Sequence, residues 1–165
     1  MSSENEGLWA FALRLYGAPG VSDACLVLQD ESGVDVPVLL FSAWLASSSV
    51  ALTQSELARI DGLVKAWRDE VIKPLRAVRR RLKTGPHPAP GPQTEDLRNG
   101  VKAVELASEK IALALLEAEG AALAGAAPGP AGDNLSLVLR HFRGGEPDAQ
   151  ARQALAIIER ARAAL

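Results

Sequence analysis

Residues Thr53–Lys83 read TQSELARIDGLVKAWRDEVIKPLRAVRRRLK and form the longest helical pattern in the chain. Thr53 and Glu56 have the spacing of a capping box, so the helix is expected to begin at or just after Thr53. The apolar residues recur at steps of three or four, which places them on one face of an α-helix. We therefore expect this face to be buried. Its residues are Leu57, Ile60, Val64, Trp67, Val71, Leu75, Val78 and Leu82.

Pro74 lies inside this pattern. A proline lacks the backbone donor, and its ring crowds the carbonyl oxygen four residues earlier, which here belongs to Glu70. Two arrangements follow: one helix that kinks near residues 70–74, or two helices that meet there with Pro74 in the first turn of the second. Because the apolar face keeps its phase across the proline, the sequence favours one long helix bent near Pro74.

The end of the same stretch is an amphipathic basic helix. Two interpretations are open: an anionic partner such as a nucleic acid binds this face, or the face is solvated or paired with Asp23, Asp30, Glu31 and Asp35. The second is favoured, because no base-stacking aromatic platform and no helix-turn-helix accompany the basic residues. Six of the eleven residues over 73–83 are basic: Lys73, Arg76, Arg79, Arg80, Arg81 and Lys83.

Composition predicts an all-α protein, an irregular bundle of about six to seven helices. Nearly half of the 165 residues are hydrophobic, and strong helix formers dominate the long segments. The single cysteine, Cys25, suits a reducing compartment. The start of the chain lacks the features of a signal peptide, and no stretch reaches the ~20 apolar residues of a membrane span. We expect a cytoplasmic protein without a membrane span.

Residues Gly85–Gln93 read GPHPAPGPQ and predict a surface connector. The connector separates a helical core, residues 1–84, from an alanine-rich helical part, residues 94–165, that packs on the core or extends from it within one domain overall. Further helices are expected over residues 8–16, 19–31, 36–47, 95–123, 134–143 and 147–165, with a loop over 120–132. Asp35 and Asp133 are the expected N-caps of the helices over 36–47 and 134–143. The inner face of the helix over 95–123 is predicted to comprise Leu97, Val101, Val104, Ser108, Ile111 and Leu115.

Large aromatic residues are candidates for a hydrophobic interaction surface. Phe41 and Trp44 lie on a helix that is apolar almost all round, and Trp67 lies on the apolar face of the long helix. Core packing is the favoured interpretation for all three, with a partner groove as the alternative. Trp67 and Arg68 together would suit a ligand pocket, with the indole as a wall and the guanidinium as an anion clamp.

Three passages resemble a family of short proteobacterial proteins that is known only as a domain of unknown function. They are FALRLYGAPGVSDACLVLQDESGVDV at Phe11–Val36, LLFSAWL at Leu39–Leu45 and WRDEVIKPLRAVRRRLK at Trp67–Lys83. The resemblance extends over roughly residues 8–83. It implies a bacterial, cytosolic, all-helical protein, and it supplies no activity, cofactor or catalytic residue.

These patterns favour a non-enzymatic helical module that binds another protein or a second copy of itself. The sequence holds no recognisable catalytic motif and no metal-ligand spacing, so we predict no catalytic residue, no cofactor and no metal. Two alternatives stay open. One is binding of a nucleic acid or another anionic ligand through residues 73–83, with Arg68 as a further contact; it is not favoured. The other is a small-molecule or enzymatic pocket near Trp67 and Arg68.

Overall fold

A computed structural model describes residues 6–123 and 133–165, and every regular element in these ranges is helical. The all-α prediction is confirmed. A π-helical turn, Arg68–Ile72, joins α4 to α5 without a break, so the two count as one of seven helices. The helices are α1 Leu8–Gly17, α2 Val21–Ser32, α3 Val36–Ser47, α4 Gln54–Trp67, α5 Lys73–Leu82, α6 Pro92–Leu123, α7 Asn134–Arg143 and α8 Ala149–Ala163.

The π-helical turn explains how the long helix accommodates Pro74. The backbone N–H of Lys73 donates to the carbonyl oxygen of Arg68, five residues earlier. The extra residue widens the turn immediately before the proline, where a regular α-helix would bring a carbonyl oxygen against the ring. The interruption predicted near residues 70–74 therefore takes the form of a π-turn rather than of two separate helices.

Local capping signals gave the starts of two helices correctly. The hydroxyl of Thr53 accepts from the backbone N–H of Glu56 at 3.1 Å, and the Glu56 carboxylate accepts from the N–H of Thr53 at 2.8 Å. Asp35 caps α3 by accepting from the N–H of Val38 at 3.3 Å. These bonds satisfy donors that the first helical turn leaves unpaired.

The described chain divides into two compact units. The first takes the residues up to Asp61 and those from Leu113 onward, and the second is Gly62–Ala112. By sequence the first carries seven basic and fourteen acidic side chains, a net charge of −7, whereas the second carries eleven basic and six acidic side chains, a net charge of +5. The connector Gly85–Gln93, expected to separate two parts of the chain, lies within the second unit.

Helix α3 lies at the centre of the first unit, in contact with α1, α7 and α8, while α2 packs most extensively against α8. Residues 37–46 of α3 are all buried, as expected for a helix that is apolar on every side. Phe41 has no exposed surface, and the Trp44 indole N–H donates to the carbonyl oxygen of Glu6 at 2.8 Å. The structure therefore places Phe41 and Trp44 in the core and not on a partner surface.

The apolar face of the long helix is buried over only part of its length. Leu57, Ile60 and Val64 are buried. Within α5, by contrast, no residue is fully buried, and Val78 is 47% exposed. The prediction of a continuously buried face is thus correct for α4 and wrong for α5.

The inner face predicted for α6 is also wrong, apart from Ser108. Leu97, Val104, Ile111 and Leu115 are each about half exposed. The buried face instead contains Glu105, Ser108, Ala112, Leu113 and Leu116. The helix continues to Leu123, past the start of the predicted loop Gly120–Gly132, and the remainder of that loop lies outside the described residues.

None of the described helices is by itself long and apolar enough to cross a membrane. Taken together, α1 and α2 are long and apolar enough to do so, but the two helices are bent by 98° at their junction.

Cys25 is expected to be unreactive in the folded protein. It is a free cysteine with no exposed surface, and burial raises the pKa of its thiol to about 12. Since the thiolate is the reactive species, a disulfide reagent such as DTNB should label no thiol in native conditions and one per chain in denaturant. Rapid labelling of the native protein would contradict this burial.

Candidate functional site

In the second unit the basic helix α5 is paired with acidic residues of α6. Arg76 contacts Glu105 through Nε and Glu109 through Nη2, each at 3.3 Å. Arg79 donates to both carboxylate oxygens of Glu105, with Nη2 3.3 Å from Oε1. The Glu105 side chain is 8% exposed. A carboxylate this deeply buried is tolerated because two guanidinium groups compensate its charge.

These ion pairs change the interpretation of the basic helix. The sequence pattern predicted either an anionic partner or acids of the first segment as counter-charges. For Arg76 and Arg79 the counter-charges are Glu105 and Glu109. Both acids follow the connector in the chain, and neither was among the residues that the sequence predicted for the inner face of α6.

Trp67 and Arg68, which the sequence suggested as parts of a ligand pocket, both have partners within the second unit. The Trp67 indole N–H donates to the backbone oxygen of Ser108 at 2.9 Å, which fixes the ring against α6. Arg68 is 7% exposed, and its Nε lies 3.8 Å from Oδ1 of Asp69. Both side chains therefore contribute to the interior of the second unit.

Lys73 forms part of a charge cluster centred on Asp69. The Asp69 carboxylate accepts a hydrogen bond from Lys65, four residues before it, and forms an ion pair with Lys73, four residues after it, at 2.8 Å. These two contacts, Lys65 first, hold the pKa of Asp69 far below its usual range. The cluster bridges the π-turn along the helix surface, and the carboxylate stays ionised throughout the physiological pH range.

The structure distributes the six predicted anion-binding residues over four settings. Arg76 and Arg79 meet at Glu105, Arg68 is buried, and Lys73 is paired with Asp69. Arg80 and Lys83 are exposed on α5. The six side chains thus do not converge on one anion site.

A second feature of this unit, missed from the sequence, is an exposed apolar face of α6. We call this face the α6 seam, and it comprises Leu97, Gly100, Val104, Ala107 and Ile111. Leu97, Val104 and Ile111 are 58%, 55% and 49% exposed, and the two small residues between them are exposed as well. Large residues thus recur every seventh position, with a small residue three positions after Leu97 and after Val104, the a and d positions of a heptad. The seven-residue repeat was the signal available in the sequence.

Replacing Glu105 with glutamine is expected to lower the free energy of unfolding by about 2 kcal/mol. The substitution keeps the shape of the side chain but removes the negative charge that faces two partly buried guanidinium groups, of which Arg76 retains its contact with Glu109. Urea denaturation measures the effect. The matched control is Glu95→Gln, which removes an exposed ion pair with Arg98 and should cost about 0.5 kcal/mol or less. Equal losses in the two variants would contradict the assignment of Glu105 as the centre of the network.

Across residues 6–123 and 133–165, no three histidine, cysteine, aspartate or glutamate side chains are arranged to hold a metal ion.

Comparison with protein families gives one match. A model of the family described as "Protein of unknown function (DUF2390)" matches residues 7–116. This range contains α1 to α5 and the whole of the second unit, and it ends within α6. Searches of curated proteins and of solved structures gave no match.

Proposed function

Since the chain belongs to the DUF2390 family, for which no activity is described, we propose its function from its surface: a non-enzymatic protein-interaction module, an adaptor or regulator. Its partner is another protein or a second copy of the chain. The observation that carries this proposal is the α6 seam, a row of half-exposed aliphatic side chains on a well-formed helix. Contiguous apolar surface of this kind is typical of protein interaction sites.

The surroundings of the seam support an apolar interaction over a charge-driven one. Arg76 and Arg79 are neutralised by Glu105 and Glu109 within the unit, and the polar end of Trp67 is hydrogen-bonded to α6. Glu105 and Glu109 of α6 are therefore engaged within the unit, whereas the aliphatic side chains of the seam are exposed to solvent.

The test compares two substitutions on the same helix. Val104→Glu places a charge in the middle of the seam, and Leu106→Glu places the same charge at an equally exposed leucine off the seam, 52% exposed. Light scattering gives the oligomeric state, and affinity capture with tagged protein gives specific partners. We expect Val104→Glu to lose the association and Leu106→Glu to keep it. Two results together would contradict the proposal: a wild-type protein that does not self-associate, and capture of the same proteins by the wild type and by Val104→Glu.

A second candidate, binding of a nucleic acid or another polyanion, rests on the net charge of +5 of the second unit and on the exposed Arg80 and Lys83. It is weaker because Arg76 and Arg79 already have carboxylate partners. A gel shift at two salt concentrations separates the candidates, since polyanion binding weakens steeply with salt and apolar association does not. Binding that is salt-sensitive and lost in Arg80→Ala/Lys83→Ala would favour this candidate.

A further inference from the structure

We infer that the partner at the α6 seam is a second copy of this chain, paired antiparallel to the first about a two-fold axis. This inference rests on the proposed function and specifies its partner. It follows from three features of the second unit: the alternation of residue size along the seam, the charges along its edge, and a second apolar face on α5.

The large and small residues of the α6 seam fit against the same residues of a second copy only in the antiparallel orientation. In such a pair Leu97 packs against Ala107 of the second copy, and Val104 packs against Gly100 of the second copy. Each contact occurs twice by symmetry, and each sets a large side chain opposite a small one, so that the two helices approach closely. A parallel pair would instead set Val104 against Val104, where the side chains would be crowded, and Gly100 against Gly100, where a gap would remain.

The charges along the edge of the seam give the same orientation. Asp96 and Lys110 both occupy the position just before a large seam residue, Leu97 and Ile111 respectively. They lie fourteen residues, or four helical turns, apart on one edge. Antiparallel pairing brings Asp96 near Lys110 of the second copy, and the symmetry repeats this pair. In a parallel pair the two copies of this edge would lie on opposite sides of the seam, so Asp96 and Lys110 would not face each other's opposite charge along it.

Helix α5 supplies a second incompletely buried face. Val71, Leu75, Val78 and Leu82 follow the four-three-four spacing of a heptad, and each is partly or largely exposed. Because α5 directs Arg76 and Arg79 toward Glu105 of α6, its apolar row is not fully buried against that helix, and the α6 seam is exposed as well. Two such hairpins related by a two-fold axis form a four-helix bundle, the usual arrangement in which faces of this spacing are buried.

The inference can be tested in the whole 165-residue chain by cysteine cross-linking. Ala103 is exposed and lies midway between Asp96 and Lys110 on the same edge, so antiparallel pairing places it beside its own copy. Ala103→Cys should form a disulfide-linked dimer on mild oxidation. Asp96→Cys should not, because its two copies would lie roughly 20 Å apart along the axis. Cys25 is buried and gives no background in the folded protein.

Light scattering and sedimentation of the uncross-linked protein complete the test. We expect a dimer for the wild type and for Leu106→Glu. For Val104→Glu, we expect a dissociation constant at least a hundredfold higher, with unchanged helicity by circular dichroism. Equal cross-linking of Ala103→Cys and Asp96→Cys would overturn the antiparallel arrangement. A monomeric wild type would overturn self-pairing. In that case the proposed function would still stand if Val104→Glu abolished capture of a different protein. If it did not, the proposed function would be overturned together with the self-pairing.

Discussion

Replacing Asn134 with alanine is expected to lower the free energy of unfolding by about 4 kcal/mol, the largest effect we predict. The Asn134 side chain is 2% exposed and makes three hydrogen bonds. Its amide nitrogen donates to the carbonyl oxygens of Ser42 at 3.1 Å and Val50 at 2.8 Å, and its oxygen accepts from the N–H of Leu52 at 2.9 Å. Alanine would leave the Leu52 N–H and the Val50 carbonyl without this partner, at about 1–3 kcal/mol each, and would also remove the bond to the Ser42 carbonyl, which lies within α3.

The measurement is urea denaturation followed by far-ultraviolet circular dichroism. A loss of this size is a substantial part of the roughly 5–15 kcal/mol that stabilises a domain, and it should lower the melting temperature by on the order of 10 °C. Asn99→Ala is the matched control, since Asn99 is exposed on α6 and its replacement should change stability by about 0.5 kcal/mol or less. Coincident unfolding curves for the two variants would show that the hydrogen bonds of Asn134 to Val50 and Leu52, in the segment that follows α3, do not stabilise the protein.

No sequence pattern could have identified Asn134. Its bonds reach backbone groups 82 to 92 residues away, whereas helical periodicity and capping rules relate residues within a few positions of one another. Its neighbour Asp133 was the residue with a local signal, that of a helix cap. In the structure Asp133 makes no side-chain capping bond, and Asn134 is the buried residue.

The two capping signals at the starts of α3 and α4 were reliable. The capping box of Thr53 and Glu56 and the cap at Asp35 formed as predicted, because their partners are fixed by the helix itself. The same reasoning gave the all-α class and the burial of α3, whose apolarity on every side leaves no face suited to water.

The orientation of α6 was not predictable from apolar periodicity alone. The helix carries aliphatic residues on one side, at Leu97, Val104 and Ile111, and small or charged residues on the other, at Glu105 and Ala112. Hydrophobicity therefore assigned the first side inward. The structure buries the second side, where Glu105 meets Arg76 and Arg79. A pairing between residues 26 and 29 positions apart leaves no periodic signal.

The partial exposure of α5 follows from the same ion pairs. Since α5 directs Arg76 and Arg79 toward α6, its row of Val71, Leu75, Val78 and Leu82 is turned away from full burial. The sequence established that α5 is amphipathic. The position of Glu105 decides which of the two faces of α5 packs against α6.

Replacing Gly120 with alanine is expected to destabilise the protein by about 3 kcal/mol. A Cβ atom at this position would lie 2.6 Å from Cζ3 of Trp44 and 3.1 Å from Cε2 of Phe41. Both rings are buried, and the Trp44 indole is held by its hydrogen bond to Glu6, so neither can move aside cheaply. The composition of residues 120–132 had suggested a loop, but Gly120 provides space for two aromatic rings within a helix.

Helix propensity predicts the opposite sign, which makes the experiment decisive. In an exposed helix, alanine is more favourable than glycine by about 1 kcal/mol. Gly62→Ala provides that control, because a Cβ atom at Gly62 in α4 meets nothing within 4 Å, and we expect it to stabilise the protein. Combining Gly120→Ala with Trp44→Leu should recover part of the loss, since the smaller side chain removes the clash. A stabilising Gly120→Ala, or a double variant whose losses simply add, would show that the rings do not closely approach α6 at Gly120.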